Sequence, residues 1–155
     1  MVRPSRLGSS TISQSVGAAP AVSEMLESIT WAGQPLCYII HRERFPERTM
    51  FLTPPEFTLQ VGYIVYEGGQ EIPRHVHRRI ERTIDRTAEV LVVRIGRCEL
   101  DVYNDDREHV ATREVREGDV IIFLGGGHGF RMMEDTVLLE VKQGPYAGTD
   151  EKIRF

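Results

Sequence analysis

Residues 89–124 read EVLVVRIGRCELDVYNDDREHVATREVREGDVIIFL, and their pattern decides the fold. Glu89 to Ile95 is a β-branched apolar run stopped by Gly96. Cys98 to Tyr103 (CELDVY) alternates apolar and polar residues, the period of a half-buried strand. Asn104-Asp105-Asp106 is turn chemistry, and His109 to Val115 supplies the return strand. Glu117-Gly118-Asp119 turns the chain again, into the buried strand Val120 to Leu124 (VIIFL). Strand-length segments this closely spaced leave no room for helices between them.

Outward from this stretch the pattern repeats. Gly125-Gly126-Gly127 opens a tight loop. His128 to Met133 and Val137 to Gln143 are the last strands, ended by Gly144-Pro145. On the other side, Arg78 to Thr87 is a charged connection and Gln70 to His77 a strand. Phe57 to Tyr66 (FTLQVGYIVY) is a long strand ended by Glu67-Gly68-Gly69. Arg42 to Arg48, with Pro46, is a loop, and Pro35 to His41 a short apolar strand. Ala21 to Ile29 reads as a short helix capped by Ser23, with Met25, Leu26 and Ile29 on one side. The organisation expected is a flexible tail over 1–20, a helix and strand arm over 21–56, and a barrel over 57–155. Deleting the tail should leave the melting temperature unchanged. Many short strands with almost no helix predict an all-β sandwich or barrel. No fixed repeat points to a propeller or β-helix.

The 155 residues suit one domain, and 41% hydrophobic content is ordinary for a globular chain. A net charge of −4 argues against a nucleic-acid partner. The cluster Arg74, Arg78, Arg79, Arg82 and Arg86 is interrupted by Glu81 and Asp85. Arg79, Arg82 and Arg86 could steer an anionic substrate to the mouth, a solvated loop being the plainer reading. Cys37 and Cys98 form no CxxC pair and read as reduced thiols. No run approaches the ~18 apolar residues of a membrane span. The N-terminus lacks the apolar core of a signal peptide. The expectation is a cytoplasmic protein with no membrane partner.

Three of the five histidines stand in unusual company. His75 and His77 are one residue apart on an expected strand, so both imidazoles point to one face. Glu89 heads an apolar strand, where an unpartnered carboxylate costs several kcal/mol. His128 follows three glycines, which let the backbone turn tightly. Imidazoles with a carboxylate are a common ligand set for Fe, Mn, Ni or Zn. The expected site is therefore one divalent metal ion held by His75, His77, Glu89 and His128. Glu81 is the rival carboxylate, although RRIERTIDR reads as an exposed loop in which it pairs with arginines. His41 and His109 look unrelated. By strand parity, Leu91, Val93 and Ile95 should face inward with Glu89, and Phe130 and Met132 with His128. Gln60 and Lys142 are candidate substrate-binding residues, the latter with an ion pair to Glu140 as its plainer role. Tyr63 and Tyr146 are candidate proton donors by residue type alone.

These residues resemble the cupin superfamily. Gly69, five residues and His75-Val76-His77 match its first motif, as do Glu89, six residues and Gly96. Gly118-Asp119, VIIFL and Gly125-Gly126-Gly127-His128 match its second. The resemblance spans about Phe57 to Gln143. It departs from the pattern in the eleven residues between His77 and Glu89, a longer gap than the family's, and in Leu124, which stands at the usual Pro. The turn to His128 is also one residue short, and Met132 replaces a frequent Asn. Glu81 lies at the family's usual distance from His77. The resemblance implies a double-stranded β-helix (jelly-roll) barrel with the metal near one mouth. It implies a homodimer, and by edge pairing the segment around Leu36 to Ile40 could add a strand to the partner's sheet. It also implies a metal-dependent enzyme of dioxygenase, isomerase or lyase type, acting on a small polar or anionic metabolite. A metal-free sugar-nucleotide isomerase or epimerase and a non-catalytic ligand-binding protein are the alternatives.

Overall fold

The computed structural model describes residues 21–146, 148 and 151–155. The tail expected over 1–20 lies outside the described residues. One helical turn, α1 (Val22–Met25), precedes ten strands. These are β1 (Glu27–Trp31), β2 (Gln34–Ile40), β3 (Met50–Phe51), β4 (Gly62–Tyr63), β5 (Glu89–Ile95), β6 (Arg97–Tyr103), β7 (His109–Arg116), β8 (Val120–Phe123), β9 (Gly127–Met132) and β10 (Val137–Lys142). The chain is nearly all β, and every pairing is antiparallel. The strands pair as a five-stranded sheet, β1-β2-β8-β5-β10, a three-stranded sheet, β7-β6-β9, and the small pair β3-β4. These pairings make separate sheets, and no closed barrel is among them.

The two larger sheets face each other across one core. Ile29, Leu36, Ile39, Leu91, Val93, Ile121 and Phe123 come from the first, and Cys98, Leu100, Val102 and Val115 from the second. Leu100 is fully buried. Truncating it removes apolar contact and leaves a cavity, so Leu100→Ala should cost about 3 kcal/mol in a urea titration. A cost below about 1 kcal/mol would show that the two sheets collapse into the space.

The outer face of the larger sheet is covered by the segment expected to be one long strand. Only Gly62 and Tyr63 of that segment pair, with Phe51 and Met50. Phe57, Leu59, Val61 and Tyr63 nonetheless pack together on Tyr38, Ile40, Leu52 and Ile122. The period of two therefore reads the buried side correctly, while a turn held by side chains replaces the ladder. Gln60 donates to the carbonyls of Pro54 (2.8 Å) and Phe57 (2.9 Å), and the Thr53 hydroxyl receives the Val61 amide (3.0 Å).

The expected helix over Ala21 to Ile29 is shortened to one turn. No side chain caps it: Ser23 lies inside the turn, and the Glu24 carboxylate instead accepts the Ala21 amide (3.2 Å). From Glu27 the chain runs as β1 into a tight hairpin at Ala32 and Gly33, whose φ of 48° and 77° match the twist between the strands. Ile29, Thr30 and Trp31 favour the strand, and Ile29 is buried in it. This hairpin makes β2 an interior strand between β1 and β8. The expected addition of Leu36 to Ile40 to a partner's sheet is therefore blocked, since both edges of that strand are already paired.

Cys37 and Cys98 are free and buried. Burial, reinforced by the Glu27 charge and opposed by a backbone hydrogen bond at Ile122, pushes the Cys37 thiol up to about 12. Burial raises Cys98 as well. The thiolate is the reactive form. At pH 8 the folded protein should not react with a thiol-specific disulfide reagent, whereas both thiols should react in denaturant. Rapid labelling of the folded chain would contradict the burial of these strands.

Candidate functional site

The two sheets meet at one end of the core, and a cluster of charged side chains gathers there. Glu89, the first residue of β5, is 7% exposed. Its register partners are Phe123 on β8 and Lys142 on β10. His128 comes from the other sheet, opposite Val102 on β6. Its Nε2 lies 3.3 Å from Glu89 Oε2. The imidazole stacks flat on Phe123, with centroids 3.7 Å apart and planes 13° apart, and Phe130 meets it edge-on. These rings fix the orientation of His128.

The other oxygen of Glu89 faces two ammonium groups. Lys152 Nζ is 3.2 Å from Oε1 and Lys142 Nζ 3.9 Å. Lys152 also lies 3.7 Å from Glu140, and Lys142 lies 3.5 Å from Glu151. Lys142 thus turns in toward Glu89 rather than pairing with Glu140. Burial pushes the His128 pKa below its ordinary value; Glu89 and Glu140 pull it upward and Lys152 downward, without reversing the shift. The imidazole is therefore neutral at pH 7, with a nitrogen free to accept a proton or bind a metal. Partial burial works against the charge on Lys152. The hydrogen bond to Glu89 and the charges of Glu89, Glu140 and Glu151 outweigh it and raise that ammonium's pKa.

Strand parity holds where the ladder is regular. Glu89, Leu91 and Val93 alternate inward. Ile95 is 55% exposed, because the β5–β10 register shifts at Val137/Leu138. Phe130 packs on the core as expected, but Met132 is exposed.

His75 and His77 sit elsewhere. Residues 64–88 form no strand, and the stretch from 64 to 87 is exposed throughout. The expected strand over Gln70 to His77 does not form: Pro73 has no amide to donate, and charged Arg74, Arg78 and Arg79 favour water. The two imidazoles do share one side, with ring centroids 5.2 Å apart. Neither contacts Glu89 or His128, and among the described residues no group of three or more His, Cys, Asp or Glu side chains is assembled to hold a metal. Glu81 is exposed in the same segment. The four expected ligands thus fall into two separate pairs. Gln60 is engaged within its own turn, also accepting from Thr53 at 3.4 Å.

Tyr63 donates to the Arg44 carbonyl (2.9 Å). Tyr146 lies under the Lys142 ammonium, 5.7 Å from its ring centre. Of the loop arginines, Arg86 makes a two-pronged contact with Asp105 (3.0 and 3.1 Å) and so ties the segment to the β6–β7 turn. Lys152 and Glu151 carry no motif and are missed by the sequence reading. One signal was available: the chain has only two lysines among its 19 basic residues, and both meet at Glu89.

No helix among the described residues is long and apolar enough to cross a membrane. No protein-family model matches the chain, and neither a curated protein nor a solved structure matches it.

Proposed function

We propose that the protein is a metal-dependent, cupin-type enzyme acting on a small polar or anionic metabolite, with His75, His77, Glu89 and His128 as ligands to one divalent ion. The observation that carries this reading is the contact between the buried Glu89 and the half-buried His128. A carboxylate oxygen and an imidazole nitrogen 3.3 Å apart have the separation of two neighbouring ligands on one ion, each with a bond of about 2.1 Å. His75 and His77 supply a second pair already turned to one side.

Joining the two pairs requires residues 64–88 to pack against the site. Two features favour that movement. β9 and β10 are each an edge strand of their sheet, and both border the Glu89–His128 pair. β10 exposes Val137, Leu139 and Val141, while the segment exposes Ile64, Val65, Ile72 and Ile80. Each such side chain, if fully buried, contributes about 1.5–3 kcal/mol. Strands added at those edges would also complete the jelly-roll arrangement that the resemblance implies. A homodimer belongs to the same reading.

A metal-free acid–base enzyme is the second reading, favoured by one observation. Glu89 already has counter-charges in Lys142 and Lys152, and His128 beside it is a neutral imidazole able to take a proton. Elemental analysis of protein purified without a metal-binding tag separates the two readings. Near-stoichiometric Fe, Mn, Ni or Zn, lost in the His75→Ala, His77→Ala double variant, is the expected result. Absence of metal after reconstitution would overturn the metal reading and leave His128 as the general base.

A further inference from the structure

Lys152 reaches Glu89 from residues 151–155, which run between Lys142 and Tyr103. Contacts at both ends hold this segment. Phe155 stands edge-on against Tyr103, with centroids 5.2 Å apart and planes at 89°, and the Arg107 guanidinium lies 5.6 Å from its ring centre. The ring lies close over Gly127, where a Cβ would come within 3.1 Å of it. At the other end, Glu151 faces Lys142. The segment therefore spans from β10 to the loop before His128, with Lys152 directed at the buried carboxylate between them.

We propose that residues 151–155 are an intramolecular occupant of this site, in which the Lys152 ammonium is a tethered cation on Glu89 that an incoming divalent ion must displace. The choice of residue fits the role. Lysine is a compact charge on a flexible stem, whereas arginine's planar fork would hold the carboxylate in a fixed geometry. At every other such position the chain uses arginine: its two lysines are the two that meet Glu89. The contacts are also weak enough to exchange. Phe155 is 64% and Ile153 76% exposed, so little apolar surface is lost on release, and partly exposed ion pairs each contribute little. Glu89 is thereby never left as an uncompensated buried charge.

The ligand named here rests on the metal reading; the contact itself does not. Titration calorimetry with Mn²⁺ or Zn²⁺ compares the full chain with Lys152→Met and Phe155→Ala. If the occupant is in place about nine-tenths of the time, removing it tightens the apparent Kd about tenfold. Lys152→Met should show that change, and Phe155→Ala a smaller one in the same direction. An ion that binds the natural chain and Lys152→Met equally would overturn the proposal.

If none of the three proteins binds either ion, the metal reading has failed, and backbone ¹⁵N relaxation decides the occupant separately. Residues 151–155 should be as ordered as β10 in the natural chain and disordered in Lys152→Met. Equal order in both, or disorder in both, would overturn it.

Discussion

Gly126→Ala should lower stability by roughly 3 kcal/mol and pull His128 away from Glu89. Gly126 has φ +64°, and a Cβ there would lie 2.1 Å from the Tyr103 carbonyl oxygen and 3.3 Å from Leu36 Cδ2. The left-handed backbone alone costs an alanine about 1–2 kcal/mol. The larger part comes from the carbonyl, which cannot retreat. Tyr103 ends β6, and that strand is hydrogen-bonded to β7 on one side and β9 on the other. The loop must therefore move, and it carries Gly127 and His128 into their register opposite Tyr103 and Val102. In a thermal melt the loss should be on the order of 10 °C for a chain of this size.

Gly129→Ala is the control, because a Cβ there meets nothing within 4 Å. It should change stability by less than about 0.5 kcal/mol. A Gly126→Ala protein as stable as the natural one would mean that the glycine run before His128 is a pliable loop, and that the position of His128 is set by its stack on Phe123 instead.

The strands from β5 to β10 were legible because each signals itself locally: an alternating or β-branched run closed by Gly, Asn or Asp. Among them only β6 and β7 pair across a turn, so the local signals mark the strands, while the pairings of β5 with β8 and β10 and of β6 with β9 come from the packing of distant segments. The segments read least well depend on what lies across from them. Phe57 to Val61 has a strand's alternation, but it meets the flat outer face of a sheet, so its apolar side chains are buried while its backbone bonds to Thr53 and Gln60. Gln70 to His77 has a strand's length, yet no edge takes it up.

The β1–β2 hairpin was missed because Ala-Gly is a weaker turn signal than Asn-Gly, and because Met25, Leu26 and Ile29 imitate a helical stripe. At the candidate site, Glu89 stands out locally as a carboxylate heading an apolar strand and His128 as a histidine after three glycines. Lys152 has no such local mark, since the reason for its position lies on another strand.

Glu89→Gln should remove most of the bound metal, leaving less than about a tenth of the natural content, while Glu81→Gln should leave it unchanged. Glutamine keeps the shape of the side chain and removes its charge, so the test separates ligation from packing. Glu89 offers a charged oxygen 3.3 Å from an imidazole already oriented by Phe123 and Phe130. An amide in its place binds a divalent ion far more weakly and leaves Lys142, whose side chain is 19% exposed, with Glu151 as its remaining counter-charge. The fold should survive, because the core of Leu91, Val93, Leu100 and Ile121 is untouched. A circular dichroism melt within a few degrees of the natural protein would establish that, and metal content per chain would then report on ligation alone.

Glu81, unlike Glu89, is exposed, and it shares the segment of His75 and His77 that the metal reading requires to move. If Glu81→Gln were the variant that loses metal, the carboxylate ligand would arrive with His75 and His77 on one short stretch of chain. Glu89 would then be the counter-ion of Lys142 and Lys152 and no ligand at all, and His128 alone would represent the preformed half of the site.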